Sequence, residues 1–157
     1  MIPRSFLSLI FVFSLAGNQP KSLPSPQLVQ AIKEASIFSN SLERTIPTPP
    51  NKRNARKVIF QHFSQGFSSS IAKRLTDYSL DAATGLPKDH DISLAPPDPN
   101  TISIIHFSPG KVVISYRTPQ ELIDTWGFKA FTIETLEQKN GRWIITHSKT
   151  SAKLPNP

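Results

Sequence analysis

The chain has 157 residues, of which 38% are hydrophobic and 18% are charged, with 15 prolines, 6 glycines and no cysteine. This composition is typical of one small globular domain and excludes collagen, coiled coils and multi-span membrane proteins. A chain of this length can bury enough apolar surface to fold without a disulfide or a structural metal. The sequence contains no Gly-rich phosphate loop, Cys-His pair or Gly-x-Ser-x-Gly elbow, and no cofactor is expected.

The formal net charge of +7 is unevenly distributed. Residues 21–57 hold seven basic and two acidic residues, whereas residues 58–157 hold ten and nine. The strands predicted below carry no stripe of cations interleaved with aromatic residues, so nucleic acid is not an expected partner. The basic excess includes a cluster of four residues, Lys52, Arg53, Arg56 and Lys57. The cluster is interpreted as a solvated helix start, with the alternative that it binds an anionic cell-wall polymer or phospholipid headgroups.

The N-terminal segment is typical of an export signal. Arg4 precedes an apolar run from Phe6 to Ala16, which is shorter than the roughly 20 residues that a membrane-spanning helix needs. Ser14 and Ala16 are small residues at the two positions that signal peptidase reads, and no cysteine follows for lipid attachment. We therefore expect a signal peptide at 1–16, cleaved after Ala16, and a secreted or periplasmic protein. An uncleaved membrane anchor is the alternative.

The next stretch divides into a helix and a connector. Ser25-Pro26 offers an N-cap followed by a proline at the first helical position, and apolar spacing predicts a helix over 26–39. The prolines of residues 45–50 then predict a stiff extended connector. We expect residues 17–53 to form this short helix and a basic proline-rich connector resembling a docking arm. The domain proper is expected at 54–151, with a tail at 152–157.

Two more helices are predicted at the start of the domain. Phe60, Phe63 and Phe67 recur at i, i+3 and i+7, which is an aromatic stripe suited to burial against a sheet. The serines at 68–70 offer an N-cap for a further amphipathic helix.

The second half of the chain has the pattern of an antiparallel sheet. Residues 81–100 are predicted to form a loop, because their glycine and prolines disfavour both helix and strand. Strands are then predicted over 101–107, 111–117, 126–138 and 143–150. The last two flank Asn140-Gly141, which favours a type I′ hairpin turn.

A two-residue turn at this hairpin fixes the expected cross-strand pairs. They are Leu136 with Ile145, Glu134 with His147, and Thr132 with Lys149, all on one face. The same face is expected to receive four further apolar residues: Trp126, Phe128, Ala130 and Trp143.

The run from Phe131 to His147, with its aromatic strand, Asn-Gly turn and Trp-x-Ile-x-His strand, resembles the nuclear transport factor 2 (NTF2) superfamily. This superfamily is also called the ketosteroid-isomerase or SnoaL-like fold. The resemblance covers about residues 54–151. It implies a single α+β domain of cone-shaped, NTF2-like or cystatin-like form, in which N-terminal helices pack on a curved antiparallel sheet and enclose a pocket. It implies little about activity, because the fold hosts isomerases, dehydratases and assembly modules without catalysis.

The sequence departs from the enzymes of that fold. Ketosteroid isomerases use a buried aspartate base with a tyrosine and a protonated carboxylic acid, and no such trio can be placed here. Glu134 and His147 are interpreted as an ordinary cross-strand pair at the rim of the sheet, with the alternative that they form a catalytic general-base dyad. The candidate pocket walls are Trp126, Phe128, Trp143, Tyr116 and Phe63.

The remaining histidines give no strong signal of a site. Asp89-His90-Asp91 are consecutive, and adjacent side chains rarely converge on one ion, so no metal site is predicted. His62 and His106 are interpreted as ordinary boundary residues.

Three functions remain open from the sequence. The first is an exported, non-catalytic module that binds an unidentified protein or an envelope partner. The second is a small-pocket isomerase or dehydratase that uses His147 and Glu134. The third is a membrane-anchored component of a secretion system, which would keep the first 16 residues attached. A homodimer is compatible with each.

Overall fold

A computed structural model of the chain describes residues 24–88 and 96–154, with the exception of the Trp126 side chain. The helices are α1 Pro26–Ser41, α2 Lys52–Phe63, α3 Ser69–Ser79 and α4 Gln120–Trp126, and a 3₁₀ turn at Leu42–Arg44 follows α1. The strands are β1 Ser103–Ser108, β2 Lys111–Arg117, β3 Phe131–Lys139 and β4 Arg142–Ser151. The described residues therefore form one mixed α+β domain, as the sequence predicts.

Local side-chain bonds set the starts of α1 and α2. The hydroxyl of Ser25 accepts a hydrogen bond of 3.2 Å from the backbone N–H of Leu28, which confirms the predicted N-cap. Asn51 caps α2 in the same way by accepting a 3.0 Å bond from the N–H of Asn54. The segment 45–49 between the two helices is neither helix nor strand. Its prolines lack the backbone N–H that donates the hydrogen bonds of helices and sheets.

The four strands form an antiparallel sheet in the order β1-β2-β3-β4. Lys139 pairs with Arg142 across the last turn, and Asn140 and Gly141 have φ values of 50° and 77°. Both turn residues thus lie in the left-handed region that a type I′ turn requires. The predicted hairpin is confirmed.

A β-bulge further along this hairpin changes its register. Leu136 pairs with Ile145 as predicted, but the register shifts between Thr135 and Leu136. Beyond the shift, Glu134 lies opposite Ser148, and Thr132 lies opposite Thr150. The predicted pairs of Glu134 with His147 and of Thr132 with Lys149 are therefore wrong. An extra residue in one strand moves every later side chain of that strand to the other face.

Residues 126–130 are not part of a strand, which corrects the prediction that β3 begins at Trp126. Helix α4 runs from Gln120 to Trp126, and Gly127 ends it with a left-handed φ of 64°. β3 begins only at Phe131. A glycine that adopts this conformation is a common helix terminator, because most residues with a Cβ atom meet steric strain there.

The hydrophobic core lies between the sheet and the first three helices. It includes, among others, Ile32, Leu42, Ile59, Phe63, Phe67, Val112, Ile114, Leu136 and Ile145. The rings of Phe63 and Phe67 meet edge to face with centroids 6.4 Å apart. We call the sheet face that contacts this core the inner face.

Helix α1 belongs to the same core rather than to a separate arm. Gly66, at the corner between α2 and α3, lies so close to α1 that a Cβ there would sit 2.5 Å from the hydroxyl oxygen of Ser39. That hydroxyl donates a 2.9 Å hydrogen bond to the carbonyl of Gly66. The N–H of Ile145 on β4 donates to the same carbonyl at 2.8 Å. Only a residue without a side chain fits between the helix and the corner, so α1 is fixed against the body.

Across residues 24–88 and 96–154, the helices are too short or too polar to cross a membrane. The expected signal peptide at 1–16 lies outside the described residues.

Candidate functional site

Among the acidic residues that the structure describes, Glu134 has the most deeply buried side chain, which is 1% exposed on the inner face of β3. Three side chains donate hydrogen bonds to its carboxylate. Ser36 Oγ lies 2.8 Å from Oε2, while Asn40 Nδ2 and Tyr116 Oη lie 3.0 Å and 2.8 Å from Oε1. Two of these donors come from α1 and one from β2, so the carboxyl group joins the helix to the sheet. We call Ser36, Asn40, Tyr116 and Glu134 the buried carboxyl cluster.

Burial dominates the electrostatics of this cluster. It raises the pKa of Glu134 above its ordinary value, and the three donated hydrogen bonds oppose that shift only in part. Glu43, in the 3₁₀ turn, has a pKa raised to about 7, by burial and by the neighbouring charge of Glu134. Burial and the same carboxylate raise the pKa of Tyr116. Within the described part of the chain neither glutamate has an ion-pair partner, so two acidic groups share a poorly solvated region.

The sequence identified Glu134 and Tyr116 but missed the donors on α1. Ser36 and Asn40 lie one helical turn apart, and Ser36 follows the buried Ile32 at the same spacing. A polar residue on the apolar face of an amphipathic helix signals a buried hydrogen-bond partner, because an unpaired hydroxyl there is costly.

The structure does not bring His147 to Glu134. His147 pairs with Thr135 on β4 and is exposed, while Glu134 is on the inner face. The ring nitrogen Nδ1 of His147 lies 3.3 Å from the hydroxyl of its neighbour Thr146. Because adjacent residues of a strand face opposite sides, the β-bulge places the imidazole on the outer face, away from the carboxyl group.

The five candidate pocket walls occupy different environments. Phe63 and Tyr116 are packed in the core at 1% and 5% exposure, and Trp143 is half-buried against it. Phe128 is 39% exposed in the loop after α4. The side chain of Trp126 lies outside the described part of the structure. The four described side chains thus lie in the core, at its edge and in an exposed loop.

The predicted basic cluster is exposed on the first two turns of α2, and much of it faces a groove. This groove, between α2 and α3, has a volume of about 420 Å³. Its lining residues are Arg53, Arg56, Lys57, Phe60, Lys73 and Thr76. We call it the basic groove. Lys52 is not in this lining and lies against the turn at Gly85, where an added Cβ would sit 3.1 Å from its Cε.

Among the described residues, most cations of the basic groove have no ion-pair partner. Arg56 forms an ion pair with Asp77 of α3. In residues 24–88 and 96–154, Arg53, Lys57 and Lys73 form no ion pair. Sequence reasoning could not place Lys73 in this site, because only the packing of α3 beside α2 brings it to the groove.

Neither a metal site nor a similar protein adds to the description of these two sites. No three potential metal ligands cluster among the residues that the structure describes, and Asp89-His90-Asp91 lie outside them. His62 is used structurally, since its Nε2 lies 2.8 Å from the carbonyl oxygen of Leu42. No protein-family model, curated protein or solved structure matches the chain.

Proposed function

We propose that the chain is an exported, non-catalytic binding module with an NTF2-like form of the α+β fold, and that it attaches to an anionic polymer of the cell envelope through the basic groove. One observation carries the proposal. Three cations without an ion-pair partner among the described residues, Arg53, Lys57 and Lys73, line one groove from two helices. Like charges held together repel one another, and an anion in the groove would relieve that repulsion.

The position of the cations on α2 supports a role other than stability. Lys52 and Arg53 occupy the first turn of the helix, which contains no acidic residue. Positive charges at a helix N-terminus oppose the helix dipole, at a cost of about 0.3–1 kcal/mol each. Asn51 already caps this end, so the first-turn cations do not replace a missing cap. An anionic ligand offsets both the dipole and the clustered charges.

The shape of the groove favours a polymer over a membrane surface. Its cations line a concave site, with Arg53, Arg56 and Lys57 on α2 and Lys73 on α3. A polymer chain lying in the groove would contact the cations of both helices, whereas a flat layer of lipid headgroups would contact only the edges of the groove. Proteins that lie on membranes also insert apolar side chains, and the aromatic residue of the groove, Phe60, is half-buried instead of projecting.

The NTF2-like assignment rests on the order of elements. Three helices precede an antiparallel meander of four strands, and the helices pack on one face of that sheet. The β-bulges in β1–β2 and β3–β4 support a curved sheet, because a bulge bends its strand and increases the local twist.

The buried carboxyl cluster favours a scaffold over an isomerase or dehydratase. Both carboxylate oxygens of Glu134 are bound by side chains of the protein itself. The predicted partner, His147, is on the opposite face of the sheet. A general base must lie within hydrogen-bond distance of its substrate. The carboxylate of Glu134 instead accepts hydrogen bonds from side chains of α1 and β2.

Export is supported by the apolar run from Phe6 to Ala16. We expect the intact mass of the secreted protein to show the loss of residues 1–16. Retention of that segment would support the membrane-anchored alternative, in which the domain belongs to a secretion-system assembly.

Binding to inorganic polyphosphate, used as a soluble polyanion, tests the role of the basic groove. We expect Arg53→Gln, Lys57→Gln and Lys73→Gln each to weaken binding about three- to tenfold, which corresponds to about 0.6–1.4 kcal/mol. Lys129→Gln and Lys149→Gln are matched controls, because they remove the same charge from exposed positions elsewhere, and they should change the affinity less than twofold.

Two results would contradict the proposal. Equal losses in groove and control variants would mean that the net charge of the protein attracts polyanions without a site. Tighter binding to vesicles of anionic phospholipid than to polyphosphate, with the same dependence on the groove, would assign the groove to a membrane surface.

A further inference from the structure

The ion pair between Arg56 and Asp77 lies at the basic groove and links its two helices. Arg56 Nη2 contacts Asp77 Oδ1, and the two side chains are 62% and 45% exposed. Asp77 directly follows Thr76, which lines the groove, and lies one helical turn after Lys73. It is the only acidic residue among the described ones that is paired with a cation of the groove.

Because both side chains are exposed, Arg56 can exchange Asp77 for another anionic partner at little cost. Exposed ion pairs contribute little to stability, since water screens both charges and two side chains must be held in one geometry. The guanidinium of Arg56 has a planar fork that binds two oxygens of a phosphate or carboxylate group at once. A multivalent anion that already contacts the other cations of the groove would gain Arg56 at the small cost of releasing Asp77.

We propose that Asp77 competes with the bound polyanion for Arg56 and thereby sets the affinity of the basic groove. The inference rests on the proposed function and adds a residue that limits it. Asp77 holds Arg56 in place across the groove, and ligand binding transfers the guanidinium from the aspartate to an anionic group of the polymer. The carboxylate then remains beside the ligand as a repulsive charge, which disfavours anions too short to engage several cations.

The test compares Asp77→Asn with Asp124→Asn in the intact protein, again with polyphosphate. Both variants remove one negative charge from an exposed aspartate on a helix, but only the first releases Arg56. We expect Asp77→Asn to tighten binding about five- to tenfold and Asp124→Asn to tighten it less than twofold. Inorganic phosphate, which is too short to span the groove, should gain more from Asp77→Asn than long chains gain.

A second variant separates competition from a general charge effect. Arg56→Gln should weaken polyphosphate binding more in the Asp77→Asn background than in the native protein, because Asp77 no longer occupies Arg56. Equal affinities of Asp77→Asn and Asp124→Asn would overturn the inference. If the substitutions at Arg53 and Lys73 still weaken binding in that case, the proposed function stands and only the role of Asp77 fails. If they do not, both fail.

Discussion

The phenolic oxygen of Tyr116 on β2 lies 2.8 Å from the carboxylate oxygen Oε1 of Glu134 on β3, with both residues almost completely buried. The same oxygen accepts a bond from Asn40 of α1. A buried polar group contributes to stability only when its partners are in place, so the tyrosine, the glutamate and the helix depend on one another. This relationship makes the docking of α1 sensitive to single substitutions inside the sheet.

Tyr116→Phe should destabilise the fold. The variant keeps the ring and removes the hydroxyl that donates to Glu134. Losing one hydrogen bond to a buried carboxyl group is expected to lower the free energy of unfolding by about 1–3 kcal/mol. Urea denaturation followed by circular dichroism measures this change. Ser148→Ala, which removes a hydroxyl group from an exposed position of β4, is the control and should change it by less than about 0.5 kcal/mol. Equal effects in the two variants would argue against the buried carboxyl cluster.

Stability should fall as the pH rises through the neutral range. The pKa of Glu43 is raised from 4.5 to about 7, so between these values the folded protein binds a proton that the unfolded chain has released. The stabilisation is fully present below about pH 4.5 and is lost as the pH rises through about 7, with a total of about 3 kcal/mol from this group. The raised pKa of Glu134 acts in the same direction.

Glu43→Gln isolates this contribution, because glutamine cannot ionise. Urea denaturation at pH 5 and at pH 8 should show a much smaller loss of stability in this variant than in the native protein. At pH 8 the variant should be the more stable of the two. Glu121→Gln, at an exposed position of α4, should retain the native pH dependence. A native protein whose stability increases between pH 5 and pH 8 would contradict the assignment.

Phe63→Ala should cost about 3–5 kcal/mol of unfolding free energy, because it removes a large aromatic side chain that is 1% exposed in the core. Phe38→Ala, at a residue of α1 that is 46% exposed, provides the matched control and should have a small effect. Thermal denaturation of both variants measures the difference. A nearly unchanged melting temperature for Phe63→Ala would mean that α2 does not present this stripe to the sheet.

His147→Ala should leave stability unchanged within about 0.5 kcal/mol and polyanion binding unchanged within twofold. The ring is exposed, and its hydrogen-bond partner among the described residues is the neighbouring Thr146. The measurements are urea denaturation and polyphosphate titration. A turnover of any small molecule by the native protein that disappears in this variant would revive the enzyme alternative.

Local sequence patterns predicted the individual elements well. The serine and proline at the start of α1 and the Asn-Gly turn each specify a conformation through the residues themselves. Their physical causes act over a few residues, so they can be read along the chain. The phenylalanine spacing was only partly correct, because α2 ends at Phe63 and Phe67 lies beyond the helix. Helix α4 was missed: no element was predicted over 118–125, and Trp126, the last residue of the helix, was assigned to the strand that follows.

The sequence also indicated half of each candidate site. The cations of α2 were visible as a cluster, and Glu134 of β3 was named as a candidate site residue together with His147. The sequence did not indicate the residues that lie beside them in the fold. Ser36 is 98 positions from Glu134, and Lys73 is on a different helix from Arg53.

Composition and short-range pattern by themselves thus determined a small α+β domain, a tight hairpin and a cluster of positive charge. Only the tertiary structure decided that Glu134 bonds to Tyr116 and to α1 instead of to His147. The reason is one inserted residue in β4. Side chains of a strand alternate between the two faces of the sheet, so a bulge moves every later side chain of its strand to the opposite face, and no local sequence pattern predicted this bulge.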